Sequence, residues 1–583
     1  MNWNKLGEVR PNQLITTYGP GSIMDAKNDS VTVLDIDYWR DTGKTIIDNR
    51  LANYLGVYNF KTPKTTEYDD IPVVSFPYYH VCANSKCNAL FDIREGFDRD
   101  KYIKDKGPKC PYCGWDAYPA RFITACEDGH MDDFPWSRWV HRGDSTCKGR
   151  LKLYSTGRTS SLGEMFVECS CGDKRSMAGA MQRENLDGLI CSGHHPHRPL
   201  DKNKKCKKLS IPSQRGASNV YFPVIRSAIS IPPWTNPIND IINANRRVIE
   251  SYEEDFQEVG LQKAYEKFFA SKYTRSEFDE AYTRIKNKIQ EFTEIKEMEY
   301  AAIINHTDLA YQRDVKYFKA EEVAINNGLD KYFSRIIKIH RLREVMVLLG
   351  FMRMEAPEPE VDDPNHICKL NKKTGHEFWL PAVEINGEGV FVEFNKSTIS
   401  QWKSIPEVKV LSDKYKDYYN EFCKSKGWTT YRERNAEYVL LHTFSHILIK
   451  EMAMQSGYSS SAIKERIYSS DTMCGVLIYT GSSDKEGSLG GLVELGEMNK
   501  FLLLLKEALQ NALTCTTDPE CFMKLPTKDR INGAACHSCT MISETACENG
   551  NRLLDRTLVV PVPERESYSY FRELVNELCG TKI

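Results

Sequence analysis

Cysteines carry the chemistry that this sequence can offer. Cys82-Ala-Asn-Ser-Lys-Cys87 is followed, after 22 residues, by Cys110-Pro-Tyr-Cys113. Each pair sits on a run of small or turn-forming residues, Gly114 follows the second pair, and the segment between them alternates enough to form strands. Four thiolates converging from two such turns satisfy the tetrahedral preference of zinc, at about 2.3 Å per bond. The spacing therefore predicts a zinc ribbon held by Cys82, Cys87, Cys110 and Cys113.

A second group is less regular: Cys169-Ser-Cys171-Gly172, then Cys191-Ser-Gly-His194, then Cys206 within the basic run 202–208. Cys147 lies upstream, and His194, His195 and His197 are further donors, so the ligand set is open. The expected set is Cys169, Cys171, Cys191 and Cys206, because the first two share a tight turn and the others each follow a loop. A third group is Cys536-His-Ser-Cys539 with Cys547 downstream and Cys521 in the turn Asp518-Pro-Glu-Cys521. Cys515 competes for the fourth position. Cys521 is the expected ligand beside Cys536, Cys539 and Cys547, since Pro519 forces a turn that aims the next side chain inward, whereas Cys515 sits at a helix end. Four sulfurs close a coordination sphere and leave no open position for a catalytic water.

Catalytic signals are sparse. The sequence contains no G-x-x-x-x-G-K-[ST], so ATP hydrolysis is not expected of this chain, and H-E-x-x-H, G-x-S-x-G and EF-hand loops are missing too. His442 and His446 stand i, i+4 on one face of a helix and could bind a metal. No acid lies at a telling distance, so they are expected to be helix-packing residues bonded to backbone or carboxylates. A phospholipase D-like or other metal-dependent nuclease using His442 and His446, with Asp484, is the alternative, but the H-x-K motif is missing and acids are not clustered. The strand 476–479 runs into a glycine-rich turn at 480–491, which could cradle phosphate or serve as a plain connection.

The elements that position these residues must come from a large chain. With 583 residues it should form three to five domains, each burying its own core. Net charge is −2, from 78 basic and 80 acidic residues, so no global field draws the protein to nucleic acid or membrane, and such binding needs local patches. The N-terminal stretch lacks an apolar signal core and no run approaches 18 apolar residues; the chain is expected to be cytoplasmic and not membrane-bound. In a reducing compartment, 19 cysteines are metal ligands or core residues rather than disulfides. From 236 to 354 the sequence is rich in Glu, Lys, Ala, Tyr and Phe with helical spacing, for example Tyr265, Phe268 and Phe269, and it reads as helical through to Arg353. Arg341 and Arg343 at its end are phosphate contacts or, more ordinarily, a solvated face or an internal ion pair. The acidic, proline-marked stretch 356–364 is a linker, and 387–394 opens an alternating strand. The expected fold is a mixed α+β multidomain chain. It comprises an N-terminal segment (1–80), zinc-ribbon modules (81–235), a helical region (236–355) and an α/β C-terminal domain with a four-cysteine zinc site (365–583).

Several short stretches, taken in order, resemble a known family. They are Arg10-Pro-Asn-Gln-Leu14, Tyr18-Gly-Pro-Gly21 with Asp25, Gln214 through Asn219 to Phe222, Arg341 to Val345 with Gly350-Phe351, Gly387-Glu-Gly389, His442 to His446, and Gly533 through Cys547 to Arg556. Together they are similar to the DrmB family, the zinc-domain proteins of the DISARM anti-phage defence system. The C-terminal stretches also resemble the zinc-binding domain of MrfA-type DNA repair helicases. The three cysteine groups predict structural zinc at two to three sites, and the resemblance implies that Cys521, Cys536, Cys539 and Cys547 occupy the family's zinc position. It also implies a separate DrmA-like superfamily 2 helicase subunit as the partner that supplies the ATPase, and DNA engaged through the complex. A scaffold with no DNA contact is the remaining class. The resemblance does not extend to the helical insert at about 236–335.

Overall fold

The computed structural model describes residues 7–580 except 27–28, 40–42, 65–69, 96–106, 158–160, 187, 204, 309–315, 358–366, 372–378, 427, 429–431, 433 and 483–489. Among the described residues the fold is mixed α and β, built on one large antiparallel sheet whose principal strands run in the order Phe222–Ile229, Phe333–Met352, Leu380–Phe394, Cys474–Ser482, Ile463–Ser469. Phe333–Met352 is 20 residues long and serves two neighbours on one edge: Phe222–Ile229 pairs with its C-terminal half and Lys319–Val323 with its N-terminal half. Leu380–Phe394 lies along its other edge over most of its length.

This sheet is covered on both faces, which explains why its strands are apolar at consecutive positions. Ile336, Val390, Val392 and Val476 enter a core shared with the C-terminal helices. Their chain neighbours Ile337, Phe391 and Leu477 enter a second core on the opposite face, under the helix Phe292–Ile304. Side chains alternate between faces along a strand, so two buried faces erase the polar half of the period-2 signal. That is why the helical reading of residues up to 353 fails. Helices occupy Pro237–Phe268, kinked at Gln257, then Arg275–Lys286 and Phe292–Ile304, but 333–352 is strand. The boundaries expected at 235/236 and 355/365 cut this sheet, because the strand inside the supposed helical region pairs with one on either side of it. Arg343 is not presented to phosphate: it is buried and ion-paired with Glu384 at 2.6 Å.

Gly387 and Gly389 have a local physical reason. A Cβ on Gly387 would lie 1.6 Å from the Thr480 carbonyl oxygen, and one on Gly389 2.5 Å from that of Ile478. Only glycine permits this approach of strands. Glu388, between them, is buried and accepts a hydrogen bond from the Leu492 backbone N–H at 2.9 Å, fixing the start of the short helix Gly491–Glu494.

The cysteine-rich part between residues 79 and 214 carries a six-stranded and a three-stranded sheet with their own small cores. Arg353 fastens it to the rest. Its guanidinium is fully buried and donates to the carbonyls of Gly129, Val220 and Gly21 at 3.0, 2.6 and 2.8 Å, joining three chain segments at the end of the longest strand. On the C-terminal side, Ala436–Ser456 is buried along most of its length and packs against the sheet and the helix Met498–Ala512. It starts with Asn435 accepting from the Tyr438 N–H and stops at Gly457, which has φ 76°. No helix among the described residues is long and apolar enough to cross a membrane.

Candidate metal centres

Antiparallel pairing assembles the first centre. The strands Tyr79–Cys82 and Ala89–Asp92 form a hairpin whose turn carries Cys87, and Tyr79–Cys82 pairs on its other side with Ala117–Pro119, which follows the turn bearing Cys110 and Cys113. The Sγ atoms of Cys82 and Cys113 are 3.4 Å apart and those of Cys87 and Cys110 3.8 Å. All four sulfurs lie within 4.8 Å of one another. Cys113 is drawn down to about 7, first by the Trp115 backbone N–H, an environment that favours thiolate.

The second expected set is divided. Cys169 and Cys171 meet Cys147 and His141, while Cys191 and Cys206 meet Cys126 and His130. Register is the reason. Leu151 pairs with Cys169, which places Cys147 at 3.7 Å from Cys169, and the helix Trp136–His141 ends with His141 Nε2 at 3.4 Å from Cys171. Meanwhile Ala125 pairs with both Met131 and Ile211, so the Cys126–His130 turn closes over the loop that brings Cys191 and Cys206. Cys126 Sγ and His130 Nδ1 are 3.3 Å apart. His194, His195 and His197 flank this set; the His195 ring lies 4.3 Å from that of His130. Cys126, His130 and His141 were missed by sequence reasoning, although Cys126-x-x-x-His130 is a donor pair on a turn and was the available signal.

The C-terminal expectation is corrected in one member. Cys515, Cys521, Cys536 and Cys539 form the cluster, with Sγ–Sγ distances of 3.4 Å (Cys515–Cys536), 3.7 Å (Cys521–Cys539) and 3.6 Å (Cys536–Cys539). The helix stops at Ala512, so Cys515 already lies outside it, in a turn where its N–H donates to Asp518 at 2.8 Å. Arg556, fully buried, clamps this turn by donating to the Ala512 carbonyl at 2.9 Å and to Asp518 Oδ1 at 2.6 Å. Cys539 is drawn down to about 4, first by its contact with Cys521 and then by the surrounding donors, against the effect of burial.

Cys547 instead faces His442, His446 and Glu465. His442 Nε2 is 3.2 Å from Cys547 Sγ and 3.0 Å from Glu465 Oε1, and His446 Nε2 is 3.2 Å from the same oxygen. Both rings are fully buried. Burial holds the His442 pKa below its ordinary value. Asp484 lies outside the described residues, as does most of the glycine-rich turn that follows the strand Cys474–Ser482.

Comparison with known proteins agrees with this geometry. The MrfA Zn-binding domain matches residues 444–540, a span that includes Cys515, Cys521, Cys536 and Cys539. A domain of unknown function (DUF8724) matches residues 10–222, which contain the N-terminal clusters. The C-terminal zinc-binding domain and the four-cysteine clusters indicate structural zinc in this chain. The chain is also 45% identical over 573 residues to the DISARM protein DrmB of Bacillus paralicheniformis, covering 95% of this chain and 100% of that protein. A likeness of this extent, with a zinc-binding domain where the thiols converge, shows that the chain belongs to the DrmB family.

Proposed function

We propose that this chain serves antiviral defence as a non-catalytic, zinc-stabilised subunit that pairs with a DrmA-like superfamily 2 helicase or translocase and helps it engage DNA. The observation that carries the reading is a zinc-binding domain of the MrfA helicase type in a chain of the DrmB family whose sequence has no P-loop. The ATPase then belongs to a partner. We assign zinc to Cys82/Cys87/Cys110/Cys113, to His141/Cys147/Cys169/Cys171, to Cys126/His130/Cys191/Cys206 and to Cys515/Cys521/Cys536/Cys539. Each set is sulfur-rich and closed at four donors, the chemistry of a structural rather than a hydrolytic site. Small zinc modules with little core of their own act as rigid mounts for loops. A net charge of −2 leaves most of the phosphate attraction to the partner. The contact this chain offers is local: Tyr112, Trp115 and Tyr118 stand 44%, 59% and 52% exposed around the first zinc turn, with the Arg150 guanidinium 4.3 Å from the Tyr112 ring centre. Exposed rings beside a cation suit base stacking by single-stranded DNA. A nuclease built on His442 and His446 would have both rings out of reach of substrate, since neither is exposed at all.

The test measures DNA binding and ATP turnover for this chain, for the helicase, and for the mixture, across a salt titration. The mixture should bind DNA more tightly or hydrolyse ATP faster than the helicase alone, with this chain inactive by itself. A mixture that behaves as the helicase alone overturns the pairing. DNA cleavage by the isolated chain overturns the non-catalytic role.

A further inference from the structure

The four residues left over by the C-terminal four-cysteine set form a site of their own. A carbonyl oxygen can only accept, so the contacts of His442 Nδ1 with the Leu553 carbonyl (3.3 Å) and of His446 Nδ1 with the Thr540 carbonyl (2.9 Å) place a proton on each Nδ1. The neutral rings then aim the lone pairs of both Nε2 atoms at one carboxylate oxygen, Glu465 Oε1, at 3.0 and 3.2 Å. That oxygen also accepts from the Glu548 N–H at 3.1 Å, and Oε2 accepts from the Ser445 hydroxyl. Ring acceptors therefore face a carboxylate acceptor, with both rings fully buried and Glu465 nearly so. Protonating both rings would put two buried imidazoliums with ring centres 4.5 Å apart beside one carboxylate, a net buried charge, and a proton shared out through the Cys547 thiol, 3.2 Å from His442 Nε2, would leave the convergence of all four groups unexplained. A divalent cation relieves it without a net charge: two neutral imidazoles, one carboxylate and one thiolate balance a charge of +2.

Two further observations point to a metal rather than to a hydrogen-bond network. Holding Nδ1–H on a backbone carbonyl fixes the tautomer and aim of a metal-binding histidine, and both rings do this, while Ser445 and the Glu548 N–H orient the carboxylate. Cys547 Sγ accepts the backbone N–H of Asn549, two residues on, at 3.2 Å. The same bond to the residue two positions on recurs at Cys82 (Asn84, 3.4 Å), Cys147 (Gly149, 3.3 Å), Cys191 (Gly193, 3.4 Å) and Cys206 (Lys208, 3.4 Å), each a member of one of the sulfur-rich sets. Cys547 is thus presented as those thiols are.

We propose that His442, His446, Glu465 and Cys547 form a further structural metal site, separate from the four-cysteine set, that holds zinc. Two nitrogens, one oxygen and one sulfur complete a tetrahedral sphere. The ion joins the buried helix Ala436–Ser456, the strand Ile463–Ser469 and the segment that follows the zinc-binding domain match, so it locks 547–553 onto the sheet. Its burial makes exchange slow and leaves no coordination position for substrate. The inference is independent of the helicase pairing.

Zinc-edge anomalous diffraction from crystals of the full-length wild-type chain decides the matter. A peak among these four side chains, alongside peaks at the sulfur-rich sets, is the expected result. Peaks at the sulfur-rich sets with none here would overturn the site, whether or not any variant folds. In solution, zinc analysis of the full-length Cys547→Ala variant should show one equivalent fewer than wild type, and Cys539→Ala should lose a different equivalent, so that the double variant loses two. A Cys547→Ala variant that folds with the wild-type zinc content also refutes the proposal.

Discussion

Arg556→Met tests whether a residue with no role as a metal ligand sets the affinity of the C-terminal cluster. The guanidinium is fully buried, donates 2.9 Å to the Ala512 carbonyl at the end of its helix and 2.6 Å to Asp518, and so holds both ends of the turn that carries Cys515 and leads into Cys521. Burial alone would lower its pKa; Asp518 outweighs burial and holds it above the ordinary arginine value. Breaking a buried ion pair costs about 3–5 kcal/mol when the remaining charge stays dry. The Asp518 side chain is 21% exposed and can regain water, so the lower end applies, about 3 kcal/mol. If that energy is what organises the turn, zinc affinity falls by roughly 100-fold at about 1.4 kcal/mol per tenfold, the upper end of what residues behind the ligands contribute. The assay is zinc release from the full-length protein against a graded chromophoric chelator. One equivalent should leave at about a hundredth of the wild-type chelator strength while the others stay. A release curve unchanged from wild type would refute the argument that this clamp preorganises the sulfurs.

Other expectations follow from the same geometry. Arg353→Met removes three hydrogen bonds to carbonyls, each worth about 1.5–3 kcal/mol when the donor is charged, but relieves the burial that depresses the arginine to about 10; the net loss should be about 2–5 kcal/mol in urea unfolding, and a loss below about 1 kcal/mol would contradict the stapling role. Burial would raise the Glu344 pKa, but Lys464 at 2.9 Å overcomes it and holds the folded value below that of an ordinary glutamate. The stabilisation is therefore complete above the unfolded pKa and lost as pH falls through the folded one, so melting of Glu344→Gln from pH 7 to 3 should start lower and fall less steeply than wild type. Cys110→Ala should lose one zinc equivalent and open the 79–119 hairpins to protease, with amide exchange in the strand Phe333–Met352 unchanged. Trp115→Ala should weaken single-stranded DNA binding by the helicase mixture about tenfold, as the loss of one stacked base would. Equal binding moves the DNA contact elsewhere on the chain.

Sequence alone settled what proximity along the chain can settle. The Cys82/Cys87 and Cys110/Cys113 pairs each lie on one turn, so their spacing announces a shared site. His442 and His446 share a helix face by arithmetic, and the apolar run 476–479 reads directly as a strand, which the structure extends to Cys474–Ser482. Pairing register decided the rest. Whether Cys169 meets Cys191 or Cys147 depends on which strand lies beside Leu151, and Cys126 joins Cys206 only because the strand Phe122–Ala125 has a neighbour on each side. Cys515 displaced Cys547 because the helix ends three residues before it, a boundary that propensity places only loosely. The 20-residue strand passed for helix because both of its faces are buried, a property of the layers around it rather than of its residues. Glu465 lies 19 residues from His446, and Cys547 105 residues from His442; the helix sets the two histidines side by side, but only packing of the sheet and the C-terminal loop against that helix brings the carboxylate and the thiol to them.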